Sequence, residues 1–127
     1  MAKAVLDASA LLAFINNEQG GEAIVEYLAD AVISSVNFSE SIAKLVSRGA
    51  APERAVRLVR HAEVPVIAFD QSLAEFAGGL VVQTRHRGLS FADRACLALA
   101  ARENVPALTA DRAWAGLSVG VEIRFIR

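Results

Sequence analysis

The sequence predicts an α/β domain of three layers, α/β/α, with helices on both faces of a mostly parallel sheet of about five strands. Two observations carry this prediction. Short apolar runs alternate with segments of helical periodicity along the whole chain, and most of those runs are continuously apolar, as strands covered on both faces must be. The last run, Val121 to Phe125, alternates instead and reads as an edge strand closing the sheet. Connections in such a sheet are right-handed. With 127 residues, of which 54% are hydrophobic and 21% charged, the chain can bury one core. It contains no linker, repeat or low-complexity tract, so residues 1–127 read as a single domain.

The first strand is the run Ala4-Val5-Leu6, which ends in Asp7. Ala8 to Ile15 are good helix formers, and Asn16 to Gly21 is the break that follows. Ile24, Val25, Leu28 and Ala29 place a second helix over Glu22 to Asp30. Ala31 to Ser34 is a second strand, and Asn37-Phe38-Ser39-Glu40 opens a helix that runs to about Arg48, with Gly49 as its stop. That places Glu40 in a first turn. Pro52 starts a helix reaching His61, with Arg54, Arg57 and Arg60 on one face and Glu53 spaced to pair with Arg57. Val64 to Phe69 is the third strand, and the helix opened by Asp70 is interrupted at Gly78-Gly79, with Leu80 to Gln83 as its continuation. Thr84 to Gly88, the most basic short stretch, reads as an exposed loop. Ser90-Phe91-Ala92-Asp93 has the form of a capping box, and the helix to Arg102 is apolar on nearly every face and therefore central. Pro106 to Thr109 is the fourth strand, turning through Ala110 to Trp114 into a short helix.

The formal net charge of −1 excludes a protein coated with positive charge, so any nucleic-acid contact must be local. A lone cysteine, Cys96, allows no internal disulfide and reads as core packing; there is no zinc-type Cys/His spacing and no apolar run near the roughly 20 residues a membrane helix needs. These features, with no secretory leader pattern, fit a soluble cytoplasmic protein.

Four acids stand out by position. Asp7, Asp93 and Asp111, three of the five Asp residues, and Glu40 all sit where a strand hands over to a helix or in a helix's first turn. Each has a structural explanation: Asp7 and Asp111 as helix caps, Asp93 as the capping-box partner of Ser90, and Glu40 as partner of Asn37 or Lys44. In an open parallel sheet, however, all four positions lie along the edge where ligands bind. Asp93 also shares its helix face with Cys96, Leu97 and Ala100, an apolar setting that is costly for a carboxylate without a cation or donors. Several carboxylates in one cleft repel, and a divalent metal relieves the repulsion. An all-oxygen site without histidine favours Mg²⁺ or Mn²⁺ over zinc. One or two such ions bind phosphates, activate water and stabilise the departing oxygen of a phosphodiester, so the protein needs no nucleophile of its own.

Leu6-Asp7-Ala8-Ser9-Ala10-Leu11, the Glu40 helix start, Leu89-Ser90-Phe91-Ala92-Asp93 and Leu108-Thr109-Ala110-Asp111-Arg112 together resemble the PIN-domain family, with the greatest likeness to VapC-type toxins of bacterial toxin-antitoxin pairs. The likeness spans essentially the whole chain, with the four motifs in order. It implies a Mg²⁺- or Mn²⁺-dependent endoribonuclease with Asp7, Glu40, Asp93 and Asp111 as catalytic metal ligands and Ser9 and Thr109 as accessory polar residues. It further implies an RNA substrate, a homodimer, and a cognate VapB-type antitoxin that occludes the site. The segment after Glu40 is more polar than the family's usual aliphatic helix start, which makes Glu40 the least secure ligand.

Around that site Arg85, His86, Arg87 and Arg112 are candidate RNA contacts, with Arg94 beside Asp93. Tyr27 and Trp114 read as packing residues. Leu11, Leu12, Phe14 and Ile15 exceed what one helix face needs, which points to an oligomer or antitoxin contact. Two other readings remain: a catalytically silent PIN-like binding module, and a receiver-type phosphoacceptor domain. The second requires a late-strand lysine, but lysine occurs only at positions 3 and 44.

Overall fold

The computed structural model describes residues 1–127. In chain order the elements are β1 (Ala4–Leu6), α1 (Ala8–Ile15), α2 (Gly21–Leu28), β2 (Ala31–Ser34), α3 (Ser35–Ser47), α4 (Pro52–His61), β3 (Val66–Ile67), α5 (Gln71–Gly79), α6 (Val81–Thr84), a 3₁₀ turn (Arg85–Arg87), α7 (Phe91–Glu103), β4 (Ala107–Thr109), a second 3₁₀ turn (Arg112–Trp114) and β5 (Ile123–Phe125). The sheet order is β3-β2-β1-β4-β5 and every pairing is parallel. No helix is long and apolar enough to cross a membrane.

The strand alternation sorts the core into two layers. Ala4 and Leu6 of β1, Ile33 of β2 and Leu108 of β4 join a cluster with Leu11, Ile24, Leu45 and Val59, residues of α1 to α4. Val5, Val32 and Ala107, one residue out of phase on the same strands, join a second cluster with Leu73, Leu97, Leu99 and Trp114. Both faces are therefore covered. β1 is the central strand: the chain leaves it towards β2 on one side and later returns to β4 on the other, making a topological switch point at the carboxyl ends of β1 and β4.

At Gly20 and Gly21 the backbones crowd, Gly20 against the Ile126 carbonyl and Gly21 against α1. A Cβ built on Gly21 would lie 2.3 Å from the Ala13 carbonyl oxygen, so only glycine admits the close approach of α2 to α1.

Several expectations need correction. α3 starts at Ser35, because the Ser34 hydroxyl caps it by accepting from the Val36 N–H at 3.2 Å; Glu40 therefore lies in the second turn, not the first. β3 is only two residues long, because the chain leaves the ladder by Phe69, whose N–H bonds the Ser35 hydroxyl at 3.0 Å. α5 runs through Gly78 and Gly79 and breaks at Leu80. The expected loop at Thr84 to Gly88 is the end of α6 and a 3₁₀ turn; Thr84 is fully buried and its hydroxyl donates to the Leu80 carbonyl, while Gly88 ends the turn at φ +66°. Leu11 and Leu12 are buried, and Phe14 and Ile15, partly buried, pack against the same cluster, so core packing takes up much of the apolar surplus of α1. The α4 pair Glu53–Arg57 does not form among the ion pairs present.

Candidate active site at the carboxyl edge of the sheet

Asp7 follows β1 directly and caps α1. Its Oδ1 accepts from the Ala10 N–H at 2.8 Å and from the Ser9 hydroxyl at 2.7 Å; its Oδ2 accepts from the Thr109 hydroxyl at 2.5 Å. Thr109 closes β4, so the last bond ties the two strands at the switch point. Both hydroxyls are used twice. Ser9 Oγ also accepts from the Ala110 N–H at 2.9 Å, and Thr109 Oγ1 from the Asp111 N–H at 3.0 Å. Each hydroxyl has one proton, and both protons are aimed at Asp7, so the 3.3 Å approach of Ser9 to Thr109 is a contact rather than a further bond. The two expected accessory residues thus hold the first acid and position the fourth.

Asp93 stands in the first turn of α7, where the capping box with Ser90 forms in full: the Ser90 N–H donates to Asp93 Oδ2 at 2.9 Å and Ser90 Oγ accepts from the Asp93 N–H at 3.2 Å. Asp111 caps the second 3₁₀ turn through Oδ1, which accepts from the Ala113 N–H at 2.9 Å. Glu40 pairs with Lys44 one turn along α3, N···O 3.7 Å, and accepts from Asn37 Nδ2 at 3.4 Å.

Electrostatics link these acids. Burial raises the Asp7 carboxyl from 3.8 to about 6, against the hydrogen bonds from Thr109, Ala10 and Ser9, and the charge of Asp93 adds to the rise. Burial likewise raises Asp93, opposed by its bonds to Ser90 and assisted by the charge of Asp111. Cys96, fully buried on α7, has its thiol pushed well up by burial and then by the charges of Asp7, Asp93 and Glu40. All three carboxylates therefore act electrostatically on one thiol. Asp7 and Asp111 follow the carboxyl ends of β1 and β4, and the charge of Asp93 acts on Asp7 as that of Asp111 acts on Asp93, but the acids do not close into a ready cage: no three His, Cys, Asp or Glu side chains are arranged to hold an ion.

The basic candidates divide. Arg85, His86 and Arg87 are exposed and enter no ion pair, with Arg87 lying against Gly116. Arg112 stacks over the Phe125 ring at 4.7 Å. Arg94 is half-buried and donates to the Leu89 carbonyl at 3.2 Å, so it holds the approach to α7 rather than facing a ligand.

The sequence marks Asn37 as a partner of Glu40, which it is, but not as a tie between helices. Asn37 is fully buried, and its Nδ2 donates to the Ala92 carbonyl at 3.0 Å as well as to Glu40, so it fastens α3 to α7 beside Asp93; its Oδ1 has no partner. The only signal available was a poor helix former three residues ahead of an acid.

A family model described as PIN domain matches residues 4–119. No curated protein sequence matches the chain. Among solved structures, DNA-bound VapBC from Salmonella typhimurium aligns with a TM-score of 0.78 at 20% identity, covering 100% of both chains. VapBC2 from Rickettsia felis, bound to a DNA fragment from its promoter, aligns with a TM-score of 0.75 at 18% identity, covering 96% of this chain and 97% of the other. VapC20 from Mycobacterium tuberculosis, a Sarcin-Ricin loop cleaving toxin, aligns with a TM-score of 0.71 at 19% identity, over 92% and 98%. At these identities the likeness is one of fold.

Proposed function

The chain belongs to the PIN domain family, and from that premise we propose that it is a divalent-cation-dependent endoribonuclease of the VapC toxin kind. The observation that carries this reading is Asp7. It is a carboxylate only 4% exposed at the switch point, bound by two hydroxyls and within reach of the charge of Asp93, yet paired with no protein cation.

The donor set fits Mg²⁺ or Mn²⁺. All four acids offer oxygen and no histidine is present; burial raises the Asp7 and Asp93 carboxyls, with the charge of Asp93 adding to the rise at Asp7 and that of Asp111 to the rise at Asp93. Asp7, Asp93, Asp111 and Glu40 are the proposed ligands of one or two ions. Asp93 and Asp111 each commit one oxygen to a cap and leave the other without a protein hydrogen bond. When bound, such an ion supplies Lewis acidity at a phosphodiester and a more acidic water. The chain's own residues do the rest. Ser9 and Thr109 fix the rotamer of Asp7, Ser90 fixes that of Asp93, the Ala110 N–H bond to Ser9 ties the end of β4 to the end of β1, and the Asp111 N–H bond to Thr109 fixes the turn that carries Asp111. Asn37 sets the distance between Glu40 and Asp93, and exposed Arg85, His86, Arg87 and Arg112 are proposed contacts for RNA phosphates.

The structural neighbours from Salmonella typhimurium and Rickettsia felis are VapBC complexes, and the Mycobacterium tuberculosis neighbour is a Sarcin-Ricin loop cleaving toxin. They support a cognate VapB-type antitoxin and an RNA substrate here. A homodimer is supported by the exposed apolar side chains of the segment running from α5 to α7, Phe76, Val82 and Phe91, rather than by α1.

The test is cleavage of RNA by purified protein with Mg²⁺ or Mn²⁺, beside chelator and an Asp93→Asn variant. Cleavage lost in both controls is expected; cleavage surviving both would sink the proposed site.

A further inference from the structure

Resting on the nuclease reading above, we infer that the outer faces of α3 and α4 form a basic track that leads an RNA strand away from the acidic cleft by its phosphodiester backbone. Residues 44 to 61 contain five Lys and Arg against one carboxylate, Glu53, in a chain whose formal net charge is −1, so positive charge is concentrated here. The track begins at the site. Lys44 pairs with Glu40 and its charge also reaches Asp93, and Arg48 follows one turn later on the same stripe of α3. Arg48 and Arg54 line one cavity of about 580 Å³ between the end of α3 and the start of α4. Arg54 and Leu58 also line the next, about 340 Å³, together with Arg57 and His61. The two cavities are therefore neighbours, and the cations run on from one to the other.

Arg48 makes only a long contact to Glu18, 3.8 Å, and Arg54, Arg57 and His61 enter no ion pair. Their spacing along α4 at i, i+3 and i+7 puts them on one solvent face, with half-buried Leu58 as an apolar floor between them. Unpaired guanidinium groups repeated along an open groove match the repeating charge of a phosphate backbone, which they can bind bidentately. An acidic protein segment would need its carboxylates in register with the same groove, and becomes the competing outcome of the test.

The experiment measures binding of a fluorescein-labelled single-stranded RNA of about 20 nucleotides by full-length Asp93→Asn protein at several salt concentrations. It is compared with the same protein carrying Arg54→Ala and Arg57→Ala, and with an Arg54→Lys/Arg57→Lys version, all checked for an unchanged thermal melt. Loss of two phosphate contacts is expected to flatten the slope of log K against log salt by about 1.4 and to weaken low-salt binding roughly tenfold, with the lysine version recovering most of both. Identical affinity and slope in all three proteins overturns the track. So does unchanged RNA binding accompanied by loss of antitoxin binding, which would make the face a protein interface. If the otherwise wild-type protein fails to cleave RNA while the slope still depends on Arg54 and Arg57, the nuclease reading falls and the track stands.

Discussion

Replacing Asp7 with Asn should make the metal-free protein more stable, and the gain should depend on pH. In the folded chain burial holds the Asp7 carboxyl at about 6, against 3.8 as its ordinary value. The folded state therefore binds the Asp7 proton more tightly than the unfolded state does. The favourable contribution of the protonated acid is fully present below about 3.8 and is lost as pH rises through about 6. A difference of about two pH units, at 1.36 kcal/mol each, makes the ionised carboxylate a liability of roughly 3 kcal/mol at neutral pH. Asparagine carries no such charge and keeps the Oδ1 acceptor for Ala10 and Ser9, but it presents an NH₂ group to Thr109, whose proton must then turn away. Allowing for that, Asp7→Asn should gain about 1–3 kcal/mol above pH 6, or roughly 3–12 °C in Tm for a domain of this size. Thermal melts of both proteins in chelator from pH 4 to 8 measure it. The curves should nearly meet at pH 4 and separate up to about pH 6.5. Added Mg²⁺ or Mn²⁺ should close the gap by stabilising only the Asp7 protein. A gap independent of pH, or an Asn variant less stable at pH 7.5 in chelator, would refute the claim that desolvation dominates this site.

Thr109→Val removes the donor to Asp7 and the acceptor of the Asp111 N–H at nearly constant volume; a loss of about 2–3 kcal/mol in urea denaturation is expected, largely restored by Thr109→Ser. Ser90→Ala takes one half of the α7 capping box and should cost about 1 kcal/mol by the same assay. Gly21→Ala drives a methyl against the Ala13 carbonyl, where backbone must move; the expected cost is about 1–3 kcal/mol, and an unchanged melting temperature would show that α1 and α2 can separate freely.

What the sequence revealed of this site is what local chemistry determines. Asp7 and Ser9 lie two residues apart, as do Thr109 and Asp111, each pair at the end of a continuously apolar strand, so the position of each acid follows from where its strand must stop. Their mutual bonds join residues about a hundred positions apart, and become visible only once β1 and β4 are known to be neighbours. The start of α3 was misplaced for a related reason. Ser34, Ser35 and Asn37 are all good caps, and local preference cannot choose among them. Tertiary structure decides: Ser34 ends β2 and caps, Ser35 is taken by the Phe69 N–H, and Asn37 is drawn inside to reach Ala92, 55 positions away. The surplus of apolar residues on α1 likewise had no local explanation. That helix packs against α2 and α3 as well as against the sheet, so it needs more than one apolar face.

The capping and ligand readings of the acids turn out not to compete. In a parallel sheet the carboxyl ends of the strands are also where helices begin, so an acid at that edge faces backbone N–H groups on one side and the cleft on the other. Asp7, Asp93 and Asp111 all accept such bonds, with Asp93 and Asp111 each leaving one oxygen without a protein donor. Capping alone does not explain why position 7 is charged. Asparagine and serine cap a helix about as well as aspartate does, without the desolvation that lifts this carboxyl to about 6. A residue that caps no better than asparagine, and leaves the metal-free fold about 1–3 kcal/mol less stable than asparagine would above pH 6, is accounted for by a ligand that needs its charge. Under the proposed function that ligand is the divalent cation, and its binding energy offsets the cost that the isolated fold bears.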